Sequence, residues 1–285
     1  MQAFTYERPS SVDKAVEMLG GADARALAGG TDLIPQLKER RRSAQVVVDL
    51  KHIPELTAVQ RLASGQWRIG AATSIRRLAG ESGLRQDYPG LVEAAQLIGS
   101  LQVQSRASLG GNLANGAPSA DAVPLMISIG AKADIAGRAG QRTVPVESLP
   151  VGPGELIVAL VLPARPARSA ARYLRFTPRR EMDIAIAGSG VALELGATGE
   201  MTTARITLAS VAPVPLRAVK AEARLIGEHP DAKLFAEAAH IAAGEARPIS
   251  DTRSSADYRR ELVEVLTRRA LDACAAEAAA WGMSR

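Results

Sequence analysis

The chain has 285 residues, 47% of them hydrophobic and 23% charged, which suffices for one large or two modest domains with cores of their own. A formal net charge of +5 is spread along the chain rather than gathered into a basic stripe with interleaved aromatics, so no nucleic-acid partner is expected. No apolar run approaches the roughly 18 residues of a membrane span, and no basic-then-apolar N-terminal segment marks a secretory signal, so no membrane span and a cytoplasmic location are expected.

The first fifty residues alternate strand and helix patterns. AFTYERP is a short strand; Ser10-Ser11 then cap a helix whose Val12, Ala15, Val16 and Leu19 share one face. ARALAGG is a strand of small residues, DLIPQLKERRR an amphipathic helix ending in the basic cluster 38–42, and VVVDL a buried strand. The spacing predicts a β-α-β-α-β unit with Gly29-Gly30 at the carboxyl end of its second strand, the edge where open α/β sheets take ligands. Alternation on either side of Ser64-Gly65 predicts a hairpin, and helices follow at SIRRLAGES and, after Pro89-Gly90, at LVEAAQLIGS. The segment VQSRASLGGNLANGAPSAD has no periodicity and reads as a long functional loop. AVPLMISIGA reads as a buried helix, KADIAGRAGQRTVPVE as a hairpin and GELIVALVLP as an apolar strand. A composition shift at PARPARSAAR sets a domain boundary shortly beyond it, giving residues 1–175 (lobes 1–55 and 56–175) and 176–285. The second part reads as antiparallel strands at AIAGSGVALEL and ARITLASVAP followed by three helices.

No GxGxxG dinucleotide fingerprint is present; the nearest imitation, Gly188-Ser189-Gly190, lies within a strand and reads as close backbone packing. Two diglycines stand out instead: Gly29-Gly30 followed by Thr31 and Asp32, and Gly110-Gly111 within Ser108 to Asn112, with Asn115 and Asp121 beyond. Either alone is compatible with a plain tight turn. Together, on adjoining α/β units, they make two beds of backbone N–H groups able to grip a dinucleotide's phosphates from both sides. Asp121 also stands where it can cap the helix after it. Cys274 cannot form an internal disulfide or, alone, ligate an iron–sulfur cluster, and His52, His229 and His240 are scattered, so no metal site is expected.

The strings LAGGTDLIP, SRASLGGNLANGAPSADAVPLMISIGA, YLRFTPRREMDIAIAG and DTRSSADYRRELVEVLTRRAL, in that order, resemble the FAD-binding medium subunit of the molybdenum hydroxylase family, which includes xanthine dehydrogenases and aerobic carbon monoxide dehydrogenases. The resemblance covers nearly the whole chain. It implies an α+β protein: a two-lobed FAD-binding α/β domain of the PCMH type, like that of vanillyl-alcohol oxidase, followed by an antiparallel sheet with three helices. It implies FAD as cofactor, held by Arg25, Ala26, Leu27, Ala28, Gly29, Gly30, Thr31, Asp32 and Leu33 on one side and by Ser108, Leu109, Gly110, Gly111 and Asn112 on the other. Asn115 and Asp121 are implied as polar contacts to the ribityl and nucleotide parts, Ile157 as bordering the adenine end, the region of Ile98 as the place where relatives differ in the residue flanking the flavin ring, and Arg175 as standing where many relatives have a lysine near the isoalloxazine. No catalytic acid–base residue is implied.

Three positions depart from the family pattern. Ala107 stands for a common glycine, Ser108 for threonine, and Arg175 for lysine, which exchanges a point charge for a planar fork. The resemblance further implies a large molybdopterin-binding subunit and a small [2Fe–2S] subunit as partners in a dimer of heterotrimers, with electrons leaving to NAD, a quinone or oxygen. The single cysteine argues against the family branch that adds a cluster to this subunit. A self-sufficient flavoenzyme of the same flavin-binding fold and a flavin-free scaffold stay open as alternatives, the first lacking this C-terminal pattern.

Overall fold

The computed structural model describes residues 1–148, 151–180 and 182–281. Its elements in chain order begin with β1 (Thr5–Glu7), α1 (Val12–Leu19), β2 (Ala24–Leu27), α2 (Leu33–Lys38), β3 (Val46–Asp49) and α3 (Pro54–Thr57). Next come β4 (Val59–Arg61), β5 (Trp67–Gly70), α4 (Ile75–Gly80), α5 (Ser82–Asp87), α6 (Pro89–Gln96), α7 (Leu101–Gln104), α8 (Leu109–Asn115) and α9 (Val123–Ser128). The chain continues through β6 (Lys132–Gly137), β7 (Gly140–Pro145), β8 (Leu156–Leu162), β9 (Ser169–Phe176), β10 (Ala187–Leu195), β11 (Met201–Ala209) and β12 (Leu216–Arg217), and finishes with α10 (Val219–Leu225), α11 (Ala232–Glu245) and α12 (Ala256–Trp281).

Local chemistry explains most of these boundaries. The Ser11 hydroxyl accepts from Lys14 N–H at the start of α1, whose Val12, Ala15, Val16 and Leu19 are buried as the pattern predicts. α2 ends at Lys38, short of the expected Arg42, because the chain turns there: Arg40 takes φ +57° and the N–H groups of Arg41 and Arg42 both return to the Gln36 carbonyl. The supposed loop 103–121 contains α8. Ser108 caps it, its hydroxyl accepting from Gly111 N–H at 3.1 Å, and Gly116 closes it in the left-handed conformation at φ +66°.

The strands form three sheets. β1, β3 and β2 are parallel in that spatial order, with Leu27 beside Asp49 at the carboxyl edge. A second sheet, β4-β5-β8-β6-β7, is antiparallel throughout and centres on the buried run of β8. The third, β12-β11-β10-β9, is also antiparallel.

Two compact units divide the chain, and neither is continuous in sequence. The first comprises Met1–Leu84, Gly99–Gly116 and Gly130–Ala164 and carries the first two sheets. The second comprises Arg85–Ile98, Ala117–Ile129 and the chain from Arg165 onward. Residues 165–175, assigned by the composition shift to the first domain, go with the second unit because β9 is hydrogen-bonded along β10. In that unit α12 lies on β9 and β10, and α11 lies on α12. Gly190 of β10 approaches the backbone of α9 closely enough that a Cβ would come within 3.0 Å of Leu125 N, and Ser128 Oγ donates to the Gly190 carbonyl at 2.8 Å. A Cβ on Gly188 would overlap the Tyr173 hydroxyl, so the Gly188-Ser189-Gly190 run is a packing device, as expected. Cys274 is fully buried in the same core.

Candidate functional site

In the first unit, β2 delivers Ala28, Gly29 and Gly30 to the carboxyl edge of the parallel sheet, and α2 begins just beyond them. Gly30 takes φ +78°, a conformation that favours glycine, with Leu27 and Ile34 closing on either side of it. Gly29 lies directly on the backbone of the second glycine segment: a Cβ there would overlap the carbonyl of Arg106. The two diglycine segments are therefore packed together, and a Cβ on Gly111 would come within 4.0 Å of that of Ala28.

The second segment is pinned from behind. Ile75 N–H donates to the Ala107 carbonyl at 2.8 Å, Ser74 bridges Ser108, and a Cβ on Gly110 would meet Ala71 at 2.5 Å. Gly110 thus serves packing of α8 onto the stretch between β5 and α4, while Gly111 faces the Gly29 segment. Among the described residues, no hydrogen bond is donated by the N–H groups of Gly29, Gly30, Thr31, Asp32 and Leu33, nor by those of Leu109 and Gly110. Asn112 Oδ1 is buried there without a partner among the described residues, as is Thr73 Oγ1. The first amides of a helix have no intrahelical partner, so those at the heads of α2 and α8, with those of Gly29 and Gly30, are available to an oxygen-rich acceptor.

The other expected residues fall into place less uniformly. Arg25 turns away from the glycines, its guanidinium bonded to the Ser43 carbonyl at 3.1 Å and to Asp23 at 3.0 Å. Asp32 occupies the cap position of α2 but makes no side-chain cap bond. Asn115 accepts from Gln36 Nε2 at 3.2 Å, which ties α8 to α2. Ile157 is buried in β8, opposite Ile135.

Ile98, Asp121 and Arg175 belong to the second unit. There Arg175, with a side chain only 7% exposed, is paired to Asp121, which also accepts from the Tyr173 hydroxyl at 3.1 Å. Burial pushes the Asp121 carboxyl up to about 6, against the opposing pull of Arg175 and Tyr173. Asp121 makes no cap bond to α9. Glu181, part of the Arg179-Arg180-Glu181 run, lies outside the described residues, whereas Arg179 is engaged with Asp183 and the Met182 carbonyl.

A cluster that the sequence does not announce lies behind the first glycine segment. Asp49, 2% exposed at the end of β3, accepts from the Tyr6 hydroxyl and from Lys51 Nζ, and Lys51 Nζ donates to the Ala28 carbonyl at 2.9 Å. Burial raises the cost of charge on Asp49, but the hydrogen bonds from Lys51 and Tyr6 outweigh it and hold its pKa below the ordinary carboxylate range. The available signal was an aspartate closing an otherwise apolar strand, VVVD, with a lysine two residues later.

Amides without protein acceptors at the carboxyl edge of a parallel α/β unit, beside a second glycine segment and without a GxGxxG turn, make a candidate anion site of a kind outside the Rossmann group. Residues 2–165 match the family described as the FAD binding domain in molybdopterin dehydrogenase, and residues 172–274 match the CO dehydrogenase flavoprotein C-terminal domain. The carbon monoxide dehydrogenase medium chain of Afipia carboxidovorans is 34% identical, covering 97% of this chain and 98% of that one. The xanthine dehydrogenase FAD-binding subunit of Escherichia coli O157:H7 is 28% identical over 96% of this chain and 97% of its own length. Among solved structures, carbon monoxide dehydrogenase from Hydrogenophaga pseudoflava superposes with a TM-score of 0.91 at 34% identity, covering 96% of this chain and 98% of that chain. The chain belongs to the family of FAD-binding subunits of molybdenum hydroxylases, and it is a flavoprotein component of a molybdopterin-dependent oxidoreductase with FAD as its cofactor. No helix among the described residues is long and apolar enough to cross a membrane.

Proposed function

We propose that this chain is the electron-transfer subunit of a cytoplasmic molybdenum hydroxylase. It takes electrons from the [2Fe–2S] clusters of a small partner subunit and hands them to an external acceptor: NAD, a quinone or oxygen. A large molybdopterin-binding subunit oxidises the substrate, and the whole assembles as a dimer of heterotrimers. The observation that carries this reading is the pair of glycine segments with unpaired N–H groups in a chain that matches a medium chain nearly end to end.

The residues fit the cofactor. The amides of Gly29, Gly30 and Thr31 and those of Leu109 and Gly110 would hold its diphosphate. Bound FAD supplies reversible one- and two-electron chemistry. The protein's own contribution is to fix the cofactor and set the charge around it, a task that needs no acid–base residue.

Purification from the native host tests the proposal. The chain is expected to run with a molybdenum-containing large subunit and an iron–sulfur small subunit, and stripping FAD should abolish reduction of the external acceptor while leaving substrate able to reduce the clusters. Recovery of this chain alone, fully active on an organic substrate, would overturn the proposal in favour of a self-sufficient flavoenzyme.

A further inference from the structure

Three interactions run across the parallel sheet in the order of its strands. Tyr6 on β1 donates to Asp49 at the end of β3, Asp49 holds Lys51 Nζ, and Lys51 Nζ donates to the carbonyl of Ala28 just beyond β2. Asp49 is further fixed by Lys51 N–H at 3.1 Å, so a buried carboxylate aims the lysine from a settled position. The target is a single peptide group, the one joining Ala28 to Gly29. In a trans peptide the carbonyl and the N–H point to opposite sides, and this chain has no cis bonds among the described residues. Holding the Ala28 oxygen toward Lys51 therefore turns the Gly29 N–H to the opposite side.

Such a hold matters at this place because a glycine follows. Rotation of a peptide plane is resisted chiefly by the Cβ atoms of its neighbours, and the Ala28–Gly29 plane has one on a single side only. The next peptide is held alike: Arg106 Nε lies 3.4 Å from the Gly29 carbonyl, which turns the Gly30 N–H away from Arg106. We infer that Lys51 is a positioning residue for FAD: set by Asp49 and Tyr6, it locks the Ala28–Gly29 peptide in the orientation that presents the Gly29 N–H to the cofactor diphosphate. The inference rests on the proposed placement of the diphosphate at the glycine segments. In this role Lys51 spends two of its three ammonium donors on the protein itself, one on Asp49 and one on the Ala28 carbonyl.

The test uses the full chain freed of FAD. Lys51→Met is made together with Asp49→Asn, so that no buried charge is stranded, and Lys51→Arg is made alone as the conservative variant. The double variant should bind FAD roughly ten- to a hundredfold more weakly, the worth of one charge-assisted hydrogen bond. Its apo thermal midpoint should stay within about 3 °C of the parent, the shift produced by ~1 kcal/mol in a chain of this size. Lys51→Arg should recover most of the affinity, since a guanidinium can still bridge a carboxylate and a carbonyl. The phosphorus NMR resonances of bound FAD should move in the double variant while the visible flavin bands do not. Parental affinity in the double variant would overturn the inference, as would affinity and apo stability falling in step. A loss of salt dependence in FAD binding would make Lys51 a direct phosphate contact and overturn it too. Were Gly111→Val also to leave affinity unchanged, the placement of the diphosphate itself would be at fault rather than the role of Lys51.

Discussion

Gly29 and Gly111 lie in two glycine segments packed together, and the structure gives them different reasons to be glycine. At Gly29 a side chain would collide with the backbone of Arg106, which cannot move without moving the whole second segment. Gly29→Ala should therefore damage folding first, by about 3 kcal/mol in the manner of an overpacked core. At Gly111 the nearest atom to an added Cβ is the Ser108 hydroxyl oxygen at 3.1 Å, a side chain able to yield a little, and α8 gains helix propensity when glycine is replaced. Gly111→Val should leave the apo midpoint nearly unchanged and weaken FAD by at least about tenfold, because the added methyl groups stand between the amides and an anion. Since bound FAD stabilises the fold by mass action, unfolding of the two variants has to be compared without cofactor. Equal losses of stability and affinity in both variants would contradict this division of roles.

At the scale of elements, the signature strings resolve into mechanical parts. Arg259 on α12 takes both oxygens of Asp251 at 2.9 Å and also donates to the carbonyls of Ile186 and Ser210, so one buried guanidinium fastens α12 to the ends of β10 and β11. Arg253 from the same string donates to Asp183 and to the Ile184 carbonyl, ordering the stretch that leads into β10. The pair Arg175–Asp121, with Tyr173, ties β9 to the segment before α9, and it carries a pH signature. Burial raises the folded pKa of Asp121 to about 6 from an ordinary 3.8. The native state then binds more protons than the unfolded chain between those values, so this group's stabilisation is full below about 4 and is lost as pH rises to about 6. Stability measured against urea should accordingly fall for the parent relative to Asp121→Asn over that window and run parallel to it above. A difference that is flat from pH 4 to 6, or that slopes the other way, would show that the ion pair rather than burial governs the carboxyl.

The elements differ in how far the sequence reveals them. β1 to β3 were legible because apolar alternation and a serine cap are local signals. α8 was not, because two glycines, each costing about 1 kcal/mol in a helix, make LGGNLAN look like coil; the helix stands on the Ser108 cap and on Gly110 seated against Ala71, a contact with a distant stretch. Lys51 escaped notice for a similar reason, since its partner Ala28 lies 23 positions away and presents only a carbonyl.

For the molecule as a whole, the family and its cofactor were readable from four strings, while the division into units was not. A boundary at 175 follows from composition, but α6 and α9 pack with the C-terminal sheet, a fact that lives in tertiary contacts and leaves no local trace. The chain passes back and forth between the units before and after the second glycine segment, so no single cut separates the two units. The central claim, that the two glycine segments grip the diphosphate of FAD, is tested most directly by the cofactor the purified chain retains. The purified chain should show a flavin absorption spectrum, should release FAD rather than FMN on denaturation at about one per chain, the stoichiometry a single diphosphate cradle sets, and should lose that flavin in a folded Gly111→Val variant. A folded parent chain that holds no flavin, or that binds riboflavin as tightly as FAD, would contradict it.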